Sequence, residues 1–147
     1  MLYHKILSCY HRLRLLQYRS LFARIRDKSW KLSPAEACAA DVVYVLGRPT
    51  VKQFSEFLGI SLPDASYRVR NLIAKGLIDK IPSKEDHRAY HLQATDKLHR
   101  HFHSGHNPIL AAINRLEQKY APEQLQLFCE ILEDFTNEEK GVEHGHF

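Results

Sequence analysis

The sequence predicts a mainly α fold with one small β-hairpin. Three observations carry that expectation: helix-start signals recur three times between residues 33 and 64, two short β-prone segments follow them, and both ends read as amphipathic helices. At 147 residues, 44% hydrophobic and 26% charged, the chain is one domain's worth of ordinary globular composition. It can bury a core alone or share one with a partner. No run of roughly 18 apolar residues occurs, so no membrane span is expected. Cys9, Cys38 and Cys129 are odd in number and far apart, which fits reduced thiols in a cytosol better than a disulfide framework. The net charge of +4 and pI near 9.0 mildly favour an anionic partner.

The first element is a helix over residues 1 to 26. Tyr3, Ile6, Tyr10 and Leu13 keep helical spacing, and Leu16 and Phe22 continue the stripe. This segment carries Lys5, Arg12, Arg14, Arg19, Arg24 and Arg26 and no acid. A transit peptide is also Arg-rich and acid-poor, but this helix runs into the domain without a spacer. Ser33-Pro34-Ala35-Glu36 is a capping box with proline at the first helical position, and it opens a helix to about Leu46, before Gly47-Arg48-Pro49. Thr50-Val51-Lys52-Gln53 is a second box, opening a short helix that Gly59 stops. Ser61-Leu62-Pro63-Asp64 opens a third helix that runs to Gly76, with Leu62, Ala65, Val69, Leu72 and Ile73 as its apolar stripe.

Two short helices joined by the tight turn "LGIS" form a helix-turn-helix pattern, whose second helix can enter a major groove. The face opposite the apolar stripe offers Ser66, Tyr67, Arg68, Arg70, Asn71 and Lys75, donors suited to phosphates and base edges. A solvated helix surface would also explain such a polar mix. "LIDKI" (77–81) and "RAYHL" (88–92) then read as strands, with Tyr90 and Leu92 alternating with His91 and Gln93. Between them lies a charged tip. A helix-turn-helix followed by a hairpin is a winged helix.

The tip, "PSKEDHR", places Asp86, His87 and Arg88 in a row. A catalytic role needs a nucleophile or base partner and a pocket, and a projecting hairpin offers neither. No glycine-rich phosphate loop, nucleophile motif or metalloprotease helix is present, so an enzyme is not expected.

From about residue 33 to 98 the chain resembles the MarR family (multiple antibiotic resistance regulators) of bacterial transcription factors. The likeness rests on "LSPAE", "TVKQFSEFLGIS", "VRNLIAKGLIDK" and, most specifically, Asp86-x-Arg88 followed by Thr95, where a new helix begins. Ala94 and Leu98 depart from the family, which usually has leucine and glycine there. The resemblance implies a single domain over 1–147. Residues 31–98 would be the winged helix-turn-helix DNA-binding lobe, and 1–30 with 99–147 a helical dimerisation region. It implies that Arg88 contacts DNA while Asp86 orients it through a charge-assisted bond, with Lys84 and His87 adding phosphate contacts. Ser61 and Asp64, at the start of the reading helix, complete the expected DNA-binding set with Ser66, Tyr67, Arg68, Arg70 and Asn71. The partners so implied are a second copy of the chain and a pseudo-palindromic double-stranded operator in a cytoplasmic setting.

Three further expectations concern the flanks. The last helix, through Leu125, Phe128, Leu132 and Phe135, is acid-rich over 123–143, so the two end helices are complementary in charge and could pair or stay separately solvated. The long helix from Thr95 should break at Ser104-Gly105-His106-Asn107-Pro108. Family members often respond to a small phenolic or aromatic effector, and Tyr10, Tyr18, Phe22, Trp30 and Tyr44 could line such a cleft or simply be core. Some relatives sense oxidants through an N-terminal cysteine; Cys9 shows no activating neighbour and reads as a small buried apolar residue.

No cofactor is expected. The alternative is zinc, prompted by "HRHFHSGH": His99 and His103 share a helix face, and His106 lies three further on. A fourth group such as His4, His11, Glu36 or Cys38 would have to join them. A winged-helix module that binds protein without reading DNA is the other alternative.

Overall fold

A computed structural model of the chain describes residues 1–86, 88–103 and 108–137. The chain forms two compact units, Met1–Ser104 and Gly105–Phe147. The first contains α1 (Leu2–Arg26), α2 (Pro34–Leu46), α3 (Val51–Leu58), α4 (Leu62–Ala74), β1 (Ile78–Pro82), β2 (Tyr90–Ala94) and α5 (Asp96–Phe102). The second contains α6 (Pro108–Lys119) and α7 (Pro122–Thr136). Among the described residues no helix is long and apolar enough to cross a membrane.

The helix starts follow the local chemistry. Ser33 and Thr50 each accept the N–H of the residue three on, while Glu36 and Gln53 return the bond to the cap backbone, so α2 and α3 begin with complete capping boxes. Gly59 ends α3 at φ 63, a left-handed geometry that glycine adopts without a Cβ penalty, and this sets the tight turn into α4.

The core of the first unit gathers Ala37, Ala40 and Val43 from α2, Phe54 from α3 and Ala65, Val69 and Leu72 from α4. Leu77, Ile78, Leu92, Ala94 and Leu98 close it, and Leu21 and Ile25 of α1 pack on its edge. Burying each of the larger side chains stabilises the fold by about 1.5–3 kcal/mol. Leu62, read as part of the α4 stripe, is exposed, and the buried stripe of the helix begins at Ala65.

β1 and β2 pair antiparallel with Ile78 opposite Ala94 and Pro82 opposite Tyr90, two residues further along than "RAYHL" suggested. The sheet also gains an edge that local patterns did not reveal. Thr50 bridges His91, the Leu92 N–H donates to the Pro49 carbonyl at 2.7 Å, and His91 Nδ1–H donates to the Arg48 carbonyl at 2.9 Å. The hairpin is thereby tied to the residues that cap α3.

The helix expected to run on from Thr95 is short. It ends at Phe102 with His103 as its C-cap, and the predicted break at 104–107 lies outside the described residues. In the second unit α6 exposes Ile109, Leu110, Ile113 and Leu116, and α7 exposes Leu127, Phe128, Ile131, Leu132 and Phe135.

Candidate nucleic-acid interface

The site is built on α4 and the hairpin. At the start of α4, Ser61 Oγ accepts the Asp64 N–H at 3.2 Å and donates to Asp64 Oδ2 at 2.7 Å. Both side chains are therefore engaged in the cap, and Asp64 also lies favourably at the positive end of the helix dipole. The buried stripe Ala65, Val69 and Leu72 fixes which way the helix faces. Tyr67 and Arg70 are then exposed, while Ser66, Arg68 and Asn71 are half-buried. A cavity of about 430 Å³ lies beside this face, lined by Ser33, Glu36, Asp64, Tyr67, Arg68 and Asn71.

Lys75 departs from the expected readout face. Its Nζ donates to Glu36 Oε2 and to the Lys31 carbonyl, both at 2.6 Å, so it binds the start of α2 instead of facing outward. Burial alone would push the Glu36 carboxyl up, but bonds from Lys75 and the Ser33 N–H, with the Lys75 charge, hold it below the usual carboxylate range.

Hydrogen bonds hold the described residues on either side of the tip. Buried Ser83 is its hub: Oγ accepts the N–H groups of Glu85 and Asp86 at 3.3 and 3.4 Å, and the Ser83 N–H donates to the Ala89 carbonyl at 3.0 Å. Sequence reasoning passed over Ser83, although a serine three residues before an aspartate is a turn signal. The expectation that Asp86 grips the Arg88 guanidinium is corrected. Asp86 Oδ1 accepts the Arg88 backbone N–H at 2.9 Å, so Asp86 shapes the turn from which Arg88 projects. Lys84 and Arg88 are exposed, and His87 lies outside the described residues. Two cationic side chains thus stand on a pinned tip, and an exposed face of Tyr67 and Arg70 stands on α4. Such donors suit phosphate oxygens and base edges.

The proposed effector residues fall in different settings, and Cys9, read as buried, is exposed on α1. Tyr10, Tyr18 and Phe22 are exposed on α1, where Arg14 sits 5.4 Å and 5.5 Å from the Tyr10 and Tyr18 ring centres. Trp30 packs on the core edge against His101, and Tyr44 stacks on Phe102 at 4.0 Å. None of the five lines the cavity beside α4. The His99 and His103 rings are 5.9 Å apart, and His103 Nδ1–H donates to the His99 carbonyl at 3.0 Å. His106 lies outside the described residues, among which no three potential metal ligands converge.

Residues 30–89 match the model of the MarR family. The match spans α2 to α4 and the first strand of the wing. Members of that family are transcription regulators and not enzymes. The whole fold is similar to a MarR-like transcriptional regulator from Thermotoga maritima (20% identity over 90% of this chain and 97% of that one, TM-score 0.51). It is also similar to a second transcriptional regulator from Thermotoga maritima (19%, 87% and 91%, TM-score 0.52) and to a MarR protein from Peptoclostridium difficile (21%, 88% and 84%, TM-score 0.50). At these identities the likeness establishes the fold. The sequence matches no curated protein.

Proposed function

We propose that the protein is a dimeric, sequence-specific DNA-binding transcriptional regulator that reads its site with α4 and braces it with the β1–β2 wing. The observation that carries this reading is the pairing of two projecting basic elements on one rigid lobe: the exposed face of α4 with Tyr67 and Arg70, and the tip with Lys84 and Arg88, tied to the cap of α3 through His91. Winged-helix lobes use these two elements for the major groove and the adjacent backbone or minor groove.

Dimerisation is supported by uncovered apolar faces. In the single chain α1 exposes Tyr10, Leu13, Tyr18 and Phe22, and α7 exposes five large hydrophobics, patches that usually mark a partner surface. The basic character of α1 and the acidic character of α7 (Glu123, Glu130, Glu133, Asp134) favour a second copy as that partner. A two-fold dimer sets its two α4 helices about one helical turn of DNA apart, hence the pseudo-palindromic site. Modulation by a small aromatic or phenolic effector belongs to the same reading. The open, polar-lined cavity beside α4 touches Tyr67, Arg68 and Asn71, so a small molecule held there would compete with readout. The reading needs no cofactor.

The test is selection of duplexes from sheared genomic DNA by the purified full chain at two salt concentrations, followed by sequencing. Enrichment of a site with inverted repeats that persists at the higher salt is expected. Capture of all fragments alike, lost completely at the higher salt, would replace this reading with non-specific charge binding.

A further inference from the structure

The last turn of α4 is held by an arrangement that its role as a surface helix does not require. Lys75, its C-cap, reaches back to α2 and the α1–α2 loop, with its side chain 28% and that of Glu36 14% exposed. The carboxylate oxygen that takes the Lys75 proton donor also accepts the Ser33 N–H at 2.8 Å, so one oxygen serves both the cap of α2 and the end of α4. The second acceptor, the Lys31 carbonyl, belongs to a non-glycine residue at φ 50, a left-handed conformation that neighbouring contacts must sustain. From the other side Lys97 Nζ donates to the Lys75 carbonyl at 3.4 Å and sits 4.9 Å above the Trp30 ring. The end of α4 is therefore gripped through Lys75 by α2, the α1–α2 loop and α5.

Position gives the grip its meaning. Arg68 and Asn71 lie seven and four residues before Lys75, on the same side of the helix. Both line the cavity whose other wall is Ser33 and Glu36. The core stripe of Ala65, Val69 and Leu72 sets the rotation of α4 about its own axis. The Lys75 bonds add a polar tie from the end of the helix to α2 and the α1–α2 loop.

We propose that Glu36 and Lys75 form a latch that sets the seat of the reading helix, making them positioning residues for discrimination between DNA sequences. The proposal rests on α4 being the DNA-reading helix. It differs from the ordinary role of a lysine on such a helix, a direct phosphate contact. A phosphate contact would give Lys75 a share of the salt dependence and of affinity for every duplex. A latch acts on the specific site alone.

The experiment uses the full chain and two duplexes: the one most enriched by the wild-type protein from a random library, and a scrambled version of it. Lys75→Met and Glu36→Gln should each lower the ratio of the two affinities by about tenfold, while the salt slope stays that of the wild type. The Glu36 arm is the sharper one, because removing an acid beside DNA should by charge alone strengthen binding to both duplexes. The exchanged pair Glu36→Lys/Lys75→Glu should recover part of the lost discrimination. Amide exchange without DNA supplies an independent readout: the last turn of α4, Leu72 to Lys75, should exchange faster in both single variants while the rest of the core is unchanged. A salt slope reduced by about one in Lys75→Met, with stronger binding in Glu36→Gln, would overturn the latch in favour of a phosphate contact. If the wild type prefers no duplex, the DNA reading fails, and unaltered exchange in both variants would then overturn the latch on its own evidence.

Discussion

Arg24 of α1 and Asp41 of α2 form an ion pair in which the arginine is 1% exposed and its guanidinium lies 4.9 Å from the centre of the Phe102 ring. Burial disfavours both charges, pulling the guanidinium down and pushing the carboxyl up, and their mutual attraction opposes each shift. Nε and Nη1 have no hydrogen-bond partner among the described residues, so Asp41 carries most of the compensation. Asp41→Asn should therefore destabilise the protein by about 3–5 kcal/mol, since it strands a buried cation. The double change Arg24→Met/Asp41→Leu should cost far less than either single change. Urea unfolding of Arg24→Met, Asp41→Leu and the double variant decides the matter, and an additive double variant would refute the pairing energetics.

His101 on α5 lies beside this pair. Its Nε2 meets Ser20 Oγ at 3.1 Å and its ring packs edge-on against Trp30. Burial, then the Arg24 charge, hold the imidazole below the ordinary histidine range, and Asp27 opposes them. The unfolded chain then binds a proton that the folded chain resists, so stability should be full above about pH 6.5 and fall as the pH drops below it. His101→Gln should flatten that decline. Equal acid sensitivity in wild type and variant between about pH 6.5 and 5 would exclude His101 as its source.

On the wing, Arg88→Ala should weaken binding to the selected duplex and lower the salt slope by about one, with the fold intact. Asp86→Ala separates backbone from charge. Deleting an acid should favour DNA, yet losing the 2.9 Å bond to the Arg88 N–H frees the turn, and weaker binding is expected. Fluorescence anisotropy on both variants checks this; tighter binding by Asp86→Ala would show that the turn bond does not matter.

Arg70 stands exposed on α4, one residue beyond buried Val69. If its fork reaches a base edge, Arg70→Ala should relax preference at one position of each half-site, costing about 1–3 kcal/mol there. Repeating the selection with the variant measures it. An unchanged site logo would limit Arg70 to the backbone.

The apolar surface of α1 predicts dependence on a second copy. The full chain should sediment as a dimer at micromolar concentration, and deletion of residues 1 to 20 should give aggregation or loss of folding. A well-behaved full-length monomer would count against the assembly.

By itself the sequence determined the starts of α2, α3 and α4 and the winged-helix class. The reason is range. Ser33 with Glu36, Thr50 with Gln53 and Ser61 with Asp64 act across three residues, so their bonds are encoded where they form. The exposed members of the candidate interface, Arg70, Lys84 and Arg88, were legible for the same reason, as polar positions off a clear apolar pattern. Tertiary structure decided what distant charges do. Arg24 looked like one more cation on a basic helix until Asp41 came to meet it, and Lys75 looked like a DNA contact until Glu36 and the Lys31 carbonyl accepted its hydrogen bonds. It also decided that Thr50 should edge the sheet through His91. A charged side chain carries no local mark of burial, because whether it faces water or a counter-ion depends on a partner tens of residues away.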